Sequence, residues 1–327
     1  MARPKREPDT ARIVPTGPED NALHAVGRLR SFPVTLGKAP MQQSLRGVRV
    51  RVRLATTGAD ITARTEEAMS LILTEKRDSI ATITMSHREK RNALSHTLIA
   101  EVVAALDRFR AEKARVVILR APARAKVWSA GHDVNELSNP GRDPLGWADP
   151  LRVLVRSIQE FPAPVIALIE GSVWGGGCEV AMACDMAIAT PEVTFAITPA
   201  KLGLPYNLSG LLTLMNGVPL LVAKEMLFTA QPIPTAQALN LGILNHVVSA
   251  DEIEAFVYRI AANIAANAPL SVAVMKEELR LLAGARAISP EIFERIQGLR
   301  RLVYDSADYR EGLDAMRAKR PPVFRGE

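Results

Sequence analysis

Three consecutive glycines stand between an apolar run and a carboxylate, in Gly171-Ser172-Val173-Trp174-Gly175-Gly176-Gly177-Cys178-Glu179. The run before them, Pro164-Val165-Ile166-Ala167-Leu168-Ile169, is bounded by proline and glycine and reads as a buried strand. The stretch after them, Cys178 to Cys184, has no breaker and suits a helix. Short strands alternating with helices, as at this junction, imply an α/β core, and glycines there let the backbone approach a ligand closely. The first N–H groups of such a helix have no acceptor of their own and favour negative charge. With Glu179 one turn further on, this equips a site to stabilise an enolate of a carbonyl compound. Taken alone, the glycines also fit a tight turn that packs a helix on a sheet.

A second segment repeats the arrangement. Ser129-Ala130-Gly131-His132-Asp133-Val134 follows the apolar run Arg115-Val116-Val117-Ile118-Leu119 and again sets glycine beside a polar residue past a strand. Two such loops can offer one N–H each to the same oxygen, which is what an oxyanion hole requires.

Together these segments resemble the crotonase superfamily, also called the enoyl-CoA hydratase/isomerase family. The resemblance runs from about Leu71 to the C-terminus. It takes in Arg88-Glu89-Lys90-Arg91-Asn92-Ala93-Leu94-Ser95 and Glu311-Gly312-Leu313-Asp314-Ala315-Met316-Arg317-Ala318-Lys319-Arg320. It implies that the backbone N–H groups of His132 and Gly176 grip the thioester oxygen of a coenzyme A substrate. It makes Glu179 the match of the first hydratase glutamate. The second would fall two residues after Thr198, where this chain has Ala200. Hydration needs a water held between two carboxylates, so ordinary hydratase activity is not expected.

The chain resembles more narrowly the methylmalonyl-CoA decarboxylases within that family. The matching pieces are Lys126 to Asp133, Gly141-Arg142-Asp143-Pro144-Leu145, Glu170 to Gly176, Leu202-Gly203-Leu204-Pro205-Tyr206-Asn207-Leu208 and Glu294-Arg295-Ile296-Gln297-Gly298. The reaction implied is loss of carbon dioxide from C2 of a malonyl-type thioester, giving propionyl-CoA from methylmalonyl-CoA. The electrons left behind flow into the thioester carbonyl, so the two N–H donors carry the enolate, each worth roughly 3–4 kcal/mol. Because the thioester is the electron sink, no metal or organic cofactor is expected. Tyr206 can orient the departing carboxylate, and Trp174 and Leu204 can wall the pocket with apolar surface. Glu179 can direct protonation of C2 or repel the carboxylate.

Each residue has a structural alternative. Tyr206 beside Pro205 and Asn207 fits a turn tyrosine, the His132 ring can simply fix its loop, and Glu179 can be a half-buried structural carboxylate. Trp128 and Trp174 fit packing, and Asp133 fits a cap on the next segment. For the nucleotide of coenzyme A, Arg88, Lys90 and Arg91 crowd one turn and can meet phosphates, or be a solvated basic turn. The resemblance adds backbone contacts around Ala93 and Ala130 and a basic residue, Lys319, from a neighbouring subunit. Rival activities are enoyl-CoA isomerisation, hydration or thioester hydrolysis, and, from another class, nucleic-acid binding by a basic arm.

That arm is where the charge lies. Of a net +6 over 327 residues, residues 1–68 hold twelve Lys/Arg against seven Asp/Glu. This leader is rich in Arg and Pro, with Arg46, Arg49, Arg51 and Arg53 closely spaced, and it has no sustained period. It is expected to be a disordered basic extension; a further hypothesis makes Met69 the natural start, since the resemblance begins just after it. Two cysteines in no metal-ligand spacing point to a reducing, cytoplasmic setting. The longest apolar stretch, Leu208 to Phe228, is broken by Asn216, Pro219, Lys224 and Glu225, so no membrane span is expected.

Strands are expected at about 70–76, 79–85, 115–120, 164–170 and 186–190. Helices are expected at about 95–111, 147–160, 177–184, 221–229, 251–266, 268–283 and 289–304. The organisation implied is a leader (1–68), a spiral core of ββα units (69–250) and a helical C-terminal region (251–327). That last region packs between subunits in the family, usually as trimers or paired trimers, so a homotrimer or homohexamer is expected.

Overall fold

The computed structural model describes residues 70–137, 148–284 and 289–327. The leader 1–68, the Met69 start and the segment Gly141 to Leu145 lie outside the described residues.

A β-hairpin opens the described chain, β1 (Ile72–Arg77) and β2 (Ile80–Met85), and leads into α1 (His96–Ala111). Ser95 caps α1, its side chain accepting from Leu98 N, and Leu98, Ile99, Val102, Ala105, Leu106 and Phe109 form its buried stripe at helical spacing. Next come β3 (Val116–Arg120), β4 (Val127–Ser129) and α2 (Pro150–Gln159). The third turn is β5 (Val165–Ile169), β6 (Ser172–Trp174) and α3 (Gly176–Ala183). After β7 (Met186–Ala189) and β8 (Thr194–Ala196) a short 3-10 turn, Pro199–Leu202, takes the helix position.

The first turn gives both its strands to one sheet, and each later turn gives one strand to each of two sheets. The larger runs β1-β2-β3-β5-β7 and ends on β10 (His246–Val247), parallel from β2 onward. The smaller runs β4-β6-β8 and ends on the antiparallel β9 (Ile233–Pro234). This is the ββα spiral expected. Between β8 and β10 lie α4 (Leu208–Gly217), α5 (Leu220–Thr229) and α6 (Thr235–Asn240). After β10 the described chain is helical: α7 (Ile253–Ala266), α8 (Pro269–Ala283), α9 (Pro290–Tyr304) and α10 (Ala307–Arg317).

The unbroken apolar runs of β3 and β5 follow from burial of both sheet faces. Val117, Leu119, Val165, Ala167 and Ile169 face the main core with α1 and α2, while Val116, Ile118, Ile166 and Leu168 face Ile253, Val257 and Ala261 of α7. The larger sheet is thereby covered on both faces, and a side chain at Gly176, just past β6, would begin 2.9 Å from Leu151 of α2.

Candidate active site

Both glycine loops leave the smaller sheet side by side, because β4 and β6 pair in parallel. Gly131, at φ +83°, allows this approach: a side chain there would begin 2.5 Å from the Trp174 carbonyl oxygen and 3.0 Å from Gly176 N. Leu94 N donates to Gly131 O at 2.7 Å and Asp133 N to Leu94 O at 3.4 Å. These two bonds straddle His132 and turn its own N–H to the opposite side. Gly176 is the first residue of α3, so its N–H has no intrahelical acceptor. The two backbone donors are therefore neighbours, and both residues line one cavity of about 290 Å³.

Glu179, Leu204 and Tyr206 line the same cavity. Trp174 does not, so of the two apolar walls expected only Leu204 is in place, and Trp128 is wholly buried in the core. Glu179 is buried to 1% exposure. Its Oε2 accepts from Asn207 Nδ2 at 2.8 Å and its Oε1 from Ser209 Oγ at 3.1 Å. Burial holds its carboxyl above the usual carboxylate range, while those two donors pull the other way. Tyr206 is half-buried, and burial together with the charge of Glu179 pushes its hydroxyl well above the usual phenol value. The two groups meet at Gly210, where a side chain would begin 2.7 Å from Tyr206 Cε1 and 2.9 Å from Glu179 Oε2.

The His132 ring is half-buried, and its Nδ1 has no hydrogen-bond partner among the described residues. Burial lowers its proton affinity below that of an ordinary histidine, against the opposing pull of Asp149 and Glu136. Asp133 is a cap: it accepts from Asn135 N at 3.1 Å and pairs with Lys90 at 2.8 Å.

The basic turn is built from backbone. Ala130 N donates to Arg91 O and Ala93 N to Lys90 O, each at 3.0 Å, so the turn and the His132 loop are one unit. Arg88 and Arg91 are exposed, whereas Lys90 is engaged by Asp133. Lys319 follows α10 at φ +53°, exposed, and no hydrogen bond or ion pair joins it to that turn among the described residues. Ala200 is exposed and does not line the cavity; its neighbours Thr198, Pro199 and Lys201 do. The strip that would carry a second carboxylate thus faces the cavity through Thr198, Pro199 and Lys201, and none of these is an acid.

Sequence reasoning passed over Asn207, Ser209 and Gly210 as site residues. Asn207 has a local signature, since a side chain that caps a helix stands before an apolar run: it caps α4 by accepting from Gly210 N at 2.5 Å. From the C-terminal helices come Tyr304 and Met316, which line the cavity, with no local signal of that role. A larger, more open depression of about 660 Å³, lined by Arg152, Asp185 and Lys276, contains neither glycine loop. Among the described residues no helix is long and apolar enough to cross a membrane, and no group of three or more His, Cys, Asp or Glu side chains is gathered to hold a metal ion.

Comparison with known proteins places this geometry. The family model described as enoyl-CoA hydratase/isomerase matches residues 75–327. The chain is 48% identical to the methylmalonyl-CoA decarboxylase of Escherichia coli (strain K12) over 249 residues, covering 76% of this chain and 95% of that protein. It is 31% identical to the mouse protein named enoyl-CoA hydratase domain-containing protein 2, mitochondrial, covering 91% of this chain and all of that protein. Among solved structures, methylmalonyl-CoA decarboxylase in complex with 2-nitronate-propionyl-CoA matches with a TM-score of 0.77 and 47% identity, over 79% of this chain and 99% of that one. Spiral fold, paired glycine loops and sequence agree: the chain belongs to the enoyl-CoA hydratase/isomerase family.

Proposed function

We propose that the protein decarboxylates methylmalonyl-CoA, or a close malonyl thioester, to propionyl-CoA and carbon dioxide. The observation that carries this reading is the pair of adjacent backbone donors, His132 N–H and Gly176 N–H, facing a cavity that also holds Tyr206 and a deeply buried Glu179. In this reading the two N–H groups bind the thioester oxygen. The C2–carboxylate bond breaks, its electron pair passes into the thioester carbonyl, and carbon dioxide leaves as a neutral molecule. The enolate oxygen carries the charge against donors already in place, so little reorganisation is required.

Tyr206 holds the carboxylate across the thioester plane, where the breaking bond overlaps the carbonyl π system. Glu179 acts in the return of a proton to C2. Its burial favours the neutral acid, which suits a donor better than a repelling charge. With Ala200 at the place of the second carboxylate, and only Thr198, Pro199 and Lys201 of that strip lining the cavity, a hydrating water lacks its second acid clamp. Arg88 and Arg91 meet the phosphates of coenzyme A beside Ala93 and Ala130. Lys90 joins them only by loosening from Asp133, and Lys319 serves a neighbouring copy. The thioester is the electron sink, so the reaction calls on no further cofactor.

We place this chemistry in the cytoplasm, in a homotrimer or homohexamer. The exposed apolar residues of α8 and α9, among them Leu270, Leu279, Leu282, Leu299 and Leu302, support an assembly that covers them.

The test is incubation of the purified protein with methylmalonyl-CoA, malonyl-CoA and crotonyl-CoA in parallel, with products followed by mass spectrometry. Propionyl-CoA appearing from methylmalonyl-CoA without added cofactor is the expected result. Conversion of crotonyl-CoA alone would replace the reading with hydration or isomerisation.

A further inference from the structure

Tyr206 and Asn207 share one peptide group, and that peptide carries two adjoining parts of the cavity lining. The Tyr206 ring hangs from it directly, and through Asn207 it holds Glu179. The peptide's carbonyl oxygen, Tyr206 O, accepts from Arg300 Nη1 at 2.7 Å. Arg300 comes from α9, far along the chain, and is itself buried to 5% exposure. Its Nη2 reaches the hydroxyl of Tyr304 at 3.2 Å, one turn further along the same helix, and its guanidinium lies 5.6 Å from that ring's centre. Tyr304 packs edge-on to Tyr309 of α10, with ring centres 5.4 Å apart, and Leu204 and Leu137 pack on this cluster. Leu204, Leu137 and Tyr304 all line the cavity.

A buried guanidinium on a carbonyl is a charge-assisted bond in a low-dielectric setting, stronger and more directional than a neutral one. It locks the carbonyl direction, and hence the whole peptide plane on which Tyr206 and Asn207 are mounted. We propose that Arg300 is a positioning residue for turnover: it touches no reacting atom and acts by fixing the Tyr206–Asn207 peptide. The helical C-terminal region thereby sets the orientation of the carboxylate-holding tyrosine from within the same chain.

The inference rests on the role proposed for Tyr206, and a double-mutant cycle separates the two. Arg300→Met, Arg300→Lys, Tyr206→Phe and Tyr206→Phe/Arg300→Met are compared by turnover of methylmalonyl-CoA, by calorimetric binding of propionyl-CoA and by thermal melting. Arg300→Met is expected to lower kcat roughly 10- to 100-fold, as small misplacements of a positioned group do. Propionyl-CoA binding stays within about two-fold, Arg300→Lys is intermediate, and the double variant falls no more than about two-fold below Tyr206→Phe alone. Losses that multiply in the double variant would show that Arg300 acts independently of Tyr206 and overturn the inference, as would unchanged turnover or a binding loss that matches the rate loss. Wild-type turnover in Tyr206→Phe would remove the role of Tyr206 itself, and the inference with it. If Arg300→Met fails to fold, Arg300→Lys in both backgrounds decides by the same comparison.

Discussion

Glu179 is held by the amide of Asn207 and the hydroxyl of Ser209, and the price of its burial is a proton bound more tightly than in water. The unfolded chain releases that proton at the ordinary carboxylate value, whereas the native protein keeps it to higher pH. Across that window the native state binds more protons, so its stability falls as pH rises. Glu179→Gln removes the effect, and Ser209 Oγ can accept from the new amide. The variant should match the wild type in acid and become the more stable of the two as pH rises above the usual carboxylate range. Urea unfolding at a series of pH values measures this, and a gap that does not change with pH would contradict it. Asn207→Ala removes both a helix cap and a donor to Glu179. It should cost about 1–2 kcal/mol of stability and raise the proton affinity of Glu179 further. An alkaline limb of kcat shifted to higher pH would report the second effect, because Glu179 acts as the protonated acid.

At this scale the sequence shows one half of the site and hides the other. His132, Gly176 and Glu179 stand in short runs where strand and glycine follow one another, so each loop is legible locally, although the two loops meet only through the pairing of β4 with β6. Asn207, Ser209 and Arg300 reach the site through tertiary packing, which no spacing encodes. Ala200 shows the limit of motif reading: the right strip of chain is found, but the side that faces the cavity is set by the 3-10 turn at Pro199–Leu202.

Elements were legible in proportion to their length and burial. The strands of the larger sheet are continuous apolar runs, readable because both faces are covered. Those of the smaller sheet have two or three residues each, too few for any period to show. The helix α4 carries Gly210 and Gly217 and follows the capping Asn207, so propensity argues against it while its buried face holds it. In α10 the charged residues leave only a narrow stripe, Tyr309, Gly312, Leu313 and Ala315, for burial. The 3-10 turn gives a test at this scale. Ala200→Glu puts a carboxylate on an exposed position and should leave kcat within about two-fold, as surface substitutions do. Pro199→Glu puts it into the cavity and should lower kcat by about tenfold or more through the cost of a buried charge. Steady-state rates of the two variants decide; equal losses would mean that the turn is oriented otherwise.

For the whole molecule, the family resemblance carried what periodicity could not, namely the spiral of ββα turns, while the sharing of its strands between two sheets is seen only in the structure. The C-terminal helices were expected as surface for other copies, and they also line the chain's own cavity through Tyr304 and Met316. In α9 both duties fall on a single helix: Arg300 is buried toward Tyr206, while Leu302 is 70% exposed. In the assembly proposed above, a helix gripped on one face and covered by a neighbouring copy on the other would make the rate per molecule depend on protein concentration. Specific activity is then expected to decline on dilution below the dissociation constant of that proposed assembly and to return on reconcentration, so that abundance itself would set how fast each molecule works; activity that stays constant on dilution would contradict this.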